Sequence, residues 1–400
     1  MNGNLKSHVS IMLDLYRGLL EDLYVHHQLS LVDLNRDFTT IKARTESEGL
    51  SFLTKTLPAL AKSFDKALLE GQFKPYTSFK TKGGSNLPCF AHGLFKLVFD
   101  QEGLLLGEPC TTAIKDIRQL GYLFYKYQVP YKECLVEHLF NEFVEIDKDI
   151  RSANDDPEEM GLFYHANEVI NEILKDFSID LLRPKNGPGA VADGIPQWGR
   201  YLPTTYYPTL DNTVDYCNMF YYSDRHLFDK FDRYFNLDTE FYGTAKALAV
   251  PKDSRGPRLI SAEPFEFMLY QQALKNVLVP HIETNVWTSG RVNFTQQDVN
   301  RKLALEASRS QRFATLDLEK ASDLVSMRHV DLLFEGTCIH DYLMSTRSSF
   351  TELPDGRTVP LKKYAPMGSA LCFPIEALTF FALIVGERMQ RGIPLKEAAK

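Results

Sequence analysis

Thr315-Leu316-Asp317-Leu318-Glu319-Lys320-Ala321-Ser322-Asp323 places two aspartates, with five residues between them, directly behind the largely apolar run Arg312-Phe313-Ala314-Thr315-Leu316. That run predicts a strand, and a strand ending there leaves Asp317 exposed at its tip. A carboxylate so placed can hold a divalent ion. Asp323 lies beyond reach of the same ion if the chain stays extended, and suits a sugar hydroxyl instead. Alone the pattern is weak, because a helix-capping or merely solvated aspartate would look the same. Glu319 reads as a surface charge.

Upstream lies Val250-Pro251-Lys252-Asp253-Ser254-Arg255-Gly256-Pro257-Arg258-Leu259-Ile260. Thr244 to Ile260 predicts two short strands about a basic turn, with Lys252, Arg255 and Arg258 at steps of three. Arginine makes forked contacts to phosphate, so such a turn suits a triphosphate. A solvated hairpin is the plainer reading, and the apolar anchors Val250, Leu259 and Ile260 count against it. Downstream, Leu353-Pro354-Asp355-Gly356-Arg357-Thr358-Val359 signals a hairpin. Ala365-Pro366-Met367-Gly368-Ser369-Ala370 then leads into an apolar helix over 373–388. Gly368 permits backbone geometry closed to other residues. Ser369 can cap the helix or offer a hydroxyl to a ribose, and capping is the simpler role.

Cations, carboxylates and a glycine turn in that order suit transfer of a nucleotide to a growing strand. A hydroxyl attacks an α-phosphate, pyrophosphate leaves, and two divalent ions ~4 Å apart stabilise both oxygens. Asp317 is the candidate ligand. Asp323 would read the 2′-OH or 3′-OH, which favours ribonucleotides.

The remaining sequence sets bounds. With 400 residues and an apolar fraction of 44%, the chain can build two or three lobes with their own cores. Its 27 Phe and 19 Tyr fill cores for the most part, although some could stack on bases. A net charge of −7 argues against a small nucleic-acid binder acting through bulk charge. Between Lys246 and Arg312, however, ten basic residues face six acidic ones, so phosphates would be drawn there first. Six scattered cysteines without a C-x-x-C pair fit a reducing compartment, with neither a disulfide framework nor a zinc site. No apolar run is long enough to span a bilayer.

The first third reads helical. Val9, Leu13, Tyr16, Leu20 and Leu23 form one stripe. Further helices are expected over 50–69 with a kink at Pro58, over 120–143 interrupted at Pro130, over 160–177 and over 264–279. Residues 152–157 read as a surface loop. Asn186-Gly187-Pro188-Gly189-Ala190, within 184–194, cannot be regular structure. Its glycines would let backbone N–H groups approach a phosphate, but spacing favours a linker between lobes. It is not a Walker loop, since Gly-Lys-Ser/Thr is missing.

These motifs closely resemble the RNA-directed RNA polymerases of single-stranded RNA bacteriophages, the levivirus replicase β subunits. The similarity is sharpest from Lys246–Ser254 through Arg258 and on to Ala262–Pro264, then over Thr315–Asp317, Ala321–Asp323, Leu353–Gly356 and Met367–Gly368; it is specific from residue 244 onward and looser before, where Glu48–Pro58 and Asn186–Ala190 also resemble the family. The resemblance implies an α+β, right-hand polymerase fold: a helical N-terminal and fingers region over 1–183, fingers carrying the basic hairpin over 184–310, and a partial palm over 311–400. It implies Asp317 as a metal aspartate, with magnesium as two ions, and Asp323 as the sugar reader. Lys252, Arg255, Arg258, Gly368 and Ser369 would be nucleotide contacts. RNA template and product and ribonucleoside triphosphates would be the partners, in the bacterial cytoplasm and without a membrane. Some members recruit host translation factors such as EF-Tu and EF-Ts. The family's Gly-Asp-Asp turn does not occur in these 400 residues, and Asn154-Asp155-Asp156-Pro157 is a poor substitute. The expectation is therefore a chain lacking the rest of the palm and the thumb, inactive alone. A reverse transcriptase and a non-catalytic RNA-binding scaffold are the rival readings; Asp323 speaks against the first.

Overall fold

The apolar stripe of the N-terminal helix sets the first packing decision. In the computed structural model, which describes residues 3–128, 130–150, 156–180, 182–200, 203–214 and 236–400, the helix Gly3–His26 buries Met12, Tyr16, Leu20 and Leu23. The next helix, Leu31–Glu48, starts where Ser30 Oγ accepts the Val32 N–H at 3.2 Å and stops at Gly49, whose φ is 69°. The helix expected over 50–69 is present in two parts. A π-helical turn, Phe52–Thr56, takes the place of the expected kink, and the α-helix Leu57–Glu70 follows. Pro58 sits in its first turn, where a missing N–H costs nothing. Gly71, left-handed at φ 74°, closes it. The helix Thr111–Tyr122 packs on Leu57–Glu70. Beneath them lie Phe64, Phe73, Phe95 and Phe99, with Phe64 edge-on to Phe95 at 5.4 Å.

A second core forms elsewhere. Asp156 accepts the Glu158 N–H at 3.0 Å and so caps the helix Pro157–Leu174. The rest of the expected loop there, 152–155, lies outside the described residues, as does 215–235. The apolar helix Cys372–Gln390 lies against Pro157–Leu174, because Gly386 has no side chain: a Cβ there would sit 2.8 Å from the Ala166 nitrogen. The helix Phe265–Thr284 contributes Phe265, Phe267, Leu274 and Leu278 to the same core.

The basic hairpin forms as expected: β3, Thr244–Asp253, and β4, Gly256–Ala262. The Pro-Asp-Gly signal also holds, with β5, Phe350–Glu352, antiparallel to β6, Thr358–Pro360. All four make one sheet in the order β4-β3-β5-β6, with β3 and β5 parallel and Thr244 opposite Phe350. Two short strands, β1 (Thr205–Tyr206) and β2 (Asp238–Thr239), pair separately. The molecule is thus mixed helix and sheet.

By internal contacts the chain forms two compact units. One comprises 1–136 with the hairpin tip 251–257, the other 137–250 with 258–400. The glycine-rich segment at 184–194 therefore falls inside the second unit and is not a linker between the two. The buried Arg200 explains its irregular course. The guanidinium donates to the carbonyls of Gly187 (3.1 Å) and Gly189 (2.6 Å), and the turn is held by its oxygens, not by N–H groups left open.

Candidate functional site

Among the described residues, 311–318 form no strand. The run enters Asp317 as exposed irregular chain, with Phe313 58% and Leu316 87% accessible. This corrects the expected strand. A strand must satisfy its N–H and C=O groups against a neighbour, and β4-β3-β5-β6 does not include this segment. The expected exposure of Asp317 does hold.

Asp323 lies in a helical turn, Ala321–Leu324, packed against the helix Cys372–Gln390. Its Oδ1 accepts a hydrogen bond from Lys363 Nζ at 3.1 Å. Cys372 and Glu376 share the neighbourhood. Burial pushes the Cys372 thiol up to about 12, with Glu376 adding to the effect, and raises the Glu376 carboxyl with help from the Asp323 charge.

Gly368 has φ 132°, and a Cβ there would overlap the carbonyl oxygen of Ser261 at the end of β4. The Ser261 N–H donates to Met367 O at 2.8 Å, so the glycine turn lies directly on the strand that carries Arg258. Ser369 is buried. Its Oγ donates to Gln271 Oε1 at 3.0 Å and accepts the Leu371 N–H at 3.2 Å. The expected cap is not realised: Leu371 holds the cap position of the helix Cys372–Gln390, no side chain caps it, and the Ser369 hydroxyl proton is already committed to Gln271.

In the hairpin, Arg255 turns back on Asp253, Nη2 to Oδ2 at 2.6 Å, and lies over the Tyr125 ring at 5.2 Å. The hydrogen bonds from Arg255 hold the Asp253 carboxyl below its usual range. Lys252 and Arg258 are exposed, and among the described residues neither has an ion-pair partner. Arg255 fixes the shape of the turn, and these two remain available to an anion.

Sequence reasoning missed the supports beneath these residues. Gln271 joins the glycine turn to Thr346 O through its Nε2 at 2.6 Å. Glu263, with its carboxyl raised by complete burial, accepts from Ser348 Oγ at 2.5 Å. Arg347 donates to the carbonyls of Leu361, Lys363 and Tyr364. No periodicity signals a buried polar residue whose partner lies well beyond the next turn of chain.

For metal binding, His26, His27 and Asp116 in the first unit offer ligand atoms within 4.8 Å of one another. Asp317 belongs to no comparable group among the described residues. None of their helices is long and apolar enough to cross a membrane.

Residues 233–389 match the family described as RNA replicase, beta-chain. The chain is 36% identical over 138 residues to the RNA-directed RNA polymerase subunit beta of Enterobacteria phage SP, covering 34% of this chain and 23% of that protein. To the corresponding subunit of Escherichia virus Qbeta it is 33% identical over 138 residues, 34% of this chain and 22% of the relative. To the RNA-directed RNA polymerase beta chain of Escherichia phage MS2 it is 27% identical over 143 residues, 36% and 25% of the two chains. The aligned portion thus spans about a quarter or less of each relative's length.

Proposed function

Residues 233–389 carry the sequence of the RNA replicase beta-chain family, and from that premise we propose that this chain takes part in RNA-templated synthesis of RNA. The observation that carries the proposal is that the matched segment contains the basic hairpin, the Asp317–Asp323 pair and the Gly368 turn together. Ribonucleoside triphosphates and RNA are then the substrates, and the bacterial cytoplasm is the site of action. Host translation factors are candidate partners. On this reading 1–183 and 184–310 belong to the fingers and 311–400 to the palm.

Asp317 fits magnesium by its chemistry: a single exposed carboxylate suits an ion that keeps several waters and takes its other ligands from substrate phosphates. Bound there, magnesium would neutralise charge developing on the phosphate oxygens. Lys252 and Arg258 attract the triphosphate, and Arg255 holds the turn that carries Lys252. Asp323 accepts a hydrogen bond from the ribose 2′-OH, and a deoxyribose, which lacks that hydroxyl, leaves the acceptor unmatched. Gly368 keeps the space over Ser261 clear of a side chain, and Ser369, tied to Gln271, holds the turn that leads into the helix against which Asp323 rests.

Competition of GTP and dGTP against a fluorescent GTP analogue, with and without magnesium, tests this in the purified chain. GTP should bind more tightly, and Asp323→Asn should narrow the gap roughly tenfold, the worth of one hydrogen bond to a charged group. Asp317→Asn should abolish the magnesium dependence. Unchanged magnesium dependence in Asp317→Asn would overturn the assignment of that residue.

A further inference from the structure

Lys363 has no exposed surface at all, which is rare for a lysine and calls for compensation. Its ammonium has three partners. Nζ donates to Phe143 O at 3.2 Å and to Asp323 Oδ1 at 3.1 Å, and it sits 3.6 Å from the centroid of the Phe143 ring. Asp323 is the one carboxylate among them, and its side chain keeps 27% of its surface accessible. The backbone behind the lysine is fixed from two directions. Asp147 accepts the N–H of Lys363 at 2.9 Å and that of Lys362 at 3.0 Å. Arg347, itself buried, donates to the carbonyl of Lys363 at 3.1 Å and to that of Leu361 at 3.2 Å. A side chain anchored this way cannot follow its partner if the partner moves, so the ammonium sets where Asp323 sits.

We infer that Lys363 is the positioning residue for the Asp323 carboxylate. It takes Oδ1 and leaves Oδ2, to which no described residue donates, turned to the ribose. The inference rests on the reading of Asp323 as the ribose contact. It adds that discrimination between ribose and deoxyribose depends on a buried lysine forty positions away that never touches the nucleotide.

The test is the GTP over dGTP preference of the 400-residue chain, measured by displacement of a fluorescent GTP analogue in magnesium, for Asp323→Asn, Lys363→Met and the double variant. Methionine keeps the volume and the apolar stem. Asp323→Asn should lower the preference roughly tenfold, and Lys363→Met about threefold or more, with the double variant no worse than Asp323→Asn alone. A Lys363→Met chain that is folded by circular dichroism and keeps the native preference, while Asp323→Asn loses it, overturns the positioning role and leaves the reading of Asp323 standing. An unchanged preference in Asp323→Asn brings down that reading and the inference with it. Should Lys363→Met fail to fold, thermal unfolding of Asp323→Asn decides. Stranding the buried ammonium should lower the unfolding temperature by ~4 °C or more, while Asp317→Asn moves it little. No fall in Asp323→Asn would mean that the lysine is not paired with it.

Discussion

Gly368 shows how much one missing methyl group can decide. With φ at 132° and the Ser261 carbonyl in the way of any Cβ, Gly368→Ala meets both backbone strain and a backbone clash. It should cost ~3 kcal/mol or more, seen as a lower urea midpoint with an unchanged slope. The need for a glycine there was legible in Met367-Gly368-Ser369; the strand it lies on was not. The same holds for Asp323. Its separation from Asp317 suits a sugar hydroxyl, but nothing local to Lys362-Lys363 signals a partner for it. Only folding reveals that one of the two lysines is exposed and the other fully covered.

At the level of elements, local signals predicted well wherever local chemistry decides the outcome. The β3–β4 and β5–β6 turns are examples, as is the glycine-closed end of Leu57–Glu70. They failed over 312–316, where the residue types favour a strand and no described strand pairs with it. Strand formation is a property of neighbours, and sequence pattern supplies only half of it. A junction between two helices was equally hidden. His340, at the start of the helix His340–Ser345, contacts Asp331 of the helix Met327–Phe334 through Nε2 at 3.0 Å and Asp341 through Nδ1 at 2.9 Å. Burial alone would lower the imidazole pKa, but the two aspartates outweigh it and the net shift is upward. A group raised in the folded state stabilises fully below its unfolded pKa of about 6.5 and loses that contribution as pH climbs through the folded value. Stability should therefore fall by about 0.5–1 kcal/mol from slightly acid to slightly alkaline pH through this junction, and Asp331→Asn should flatten the dependence. Urea melts of both proteins across that range check it.

On the scale of the whole molecule, two separate hydrophobic cores are the main fact. An apolar fraction of 44% spread along the chain announced enough material for them, but the way the hairpin tip groups with the first unit while its stem groups with the second was not readable. Separate cores imply separate local stabilities. Phe64→Ala removes a fully buried ring from the first core and should cost ~3–5 kcal/mol there. Hydrogen exchange should quicken in Leu57–Glu70 and Thr111–Tyr122 and stay slow in Pro157–Leu174 and Cys372–Gln390. The second core has its own internal witness. An amine with no surface cannot meet an acylating reagent, whereas Lys252 and Lys396 stand in water. A chemical label on Lys363 would thus record the moments when that half of the protein comes apart, turning the anchor of one carboxylate into a clock for the unit around it.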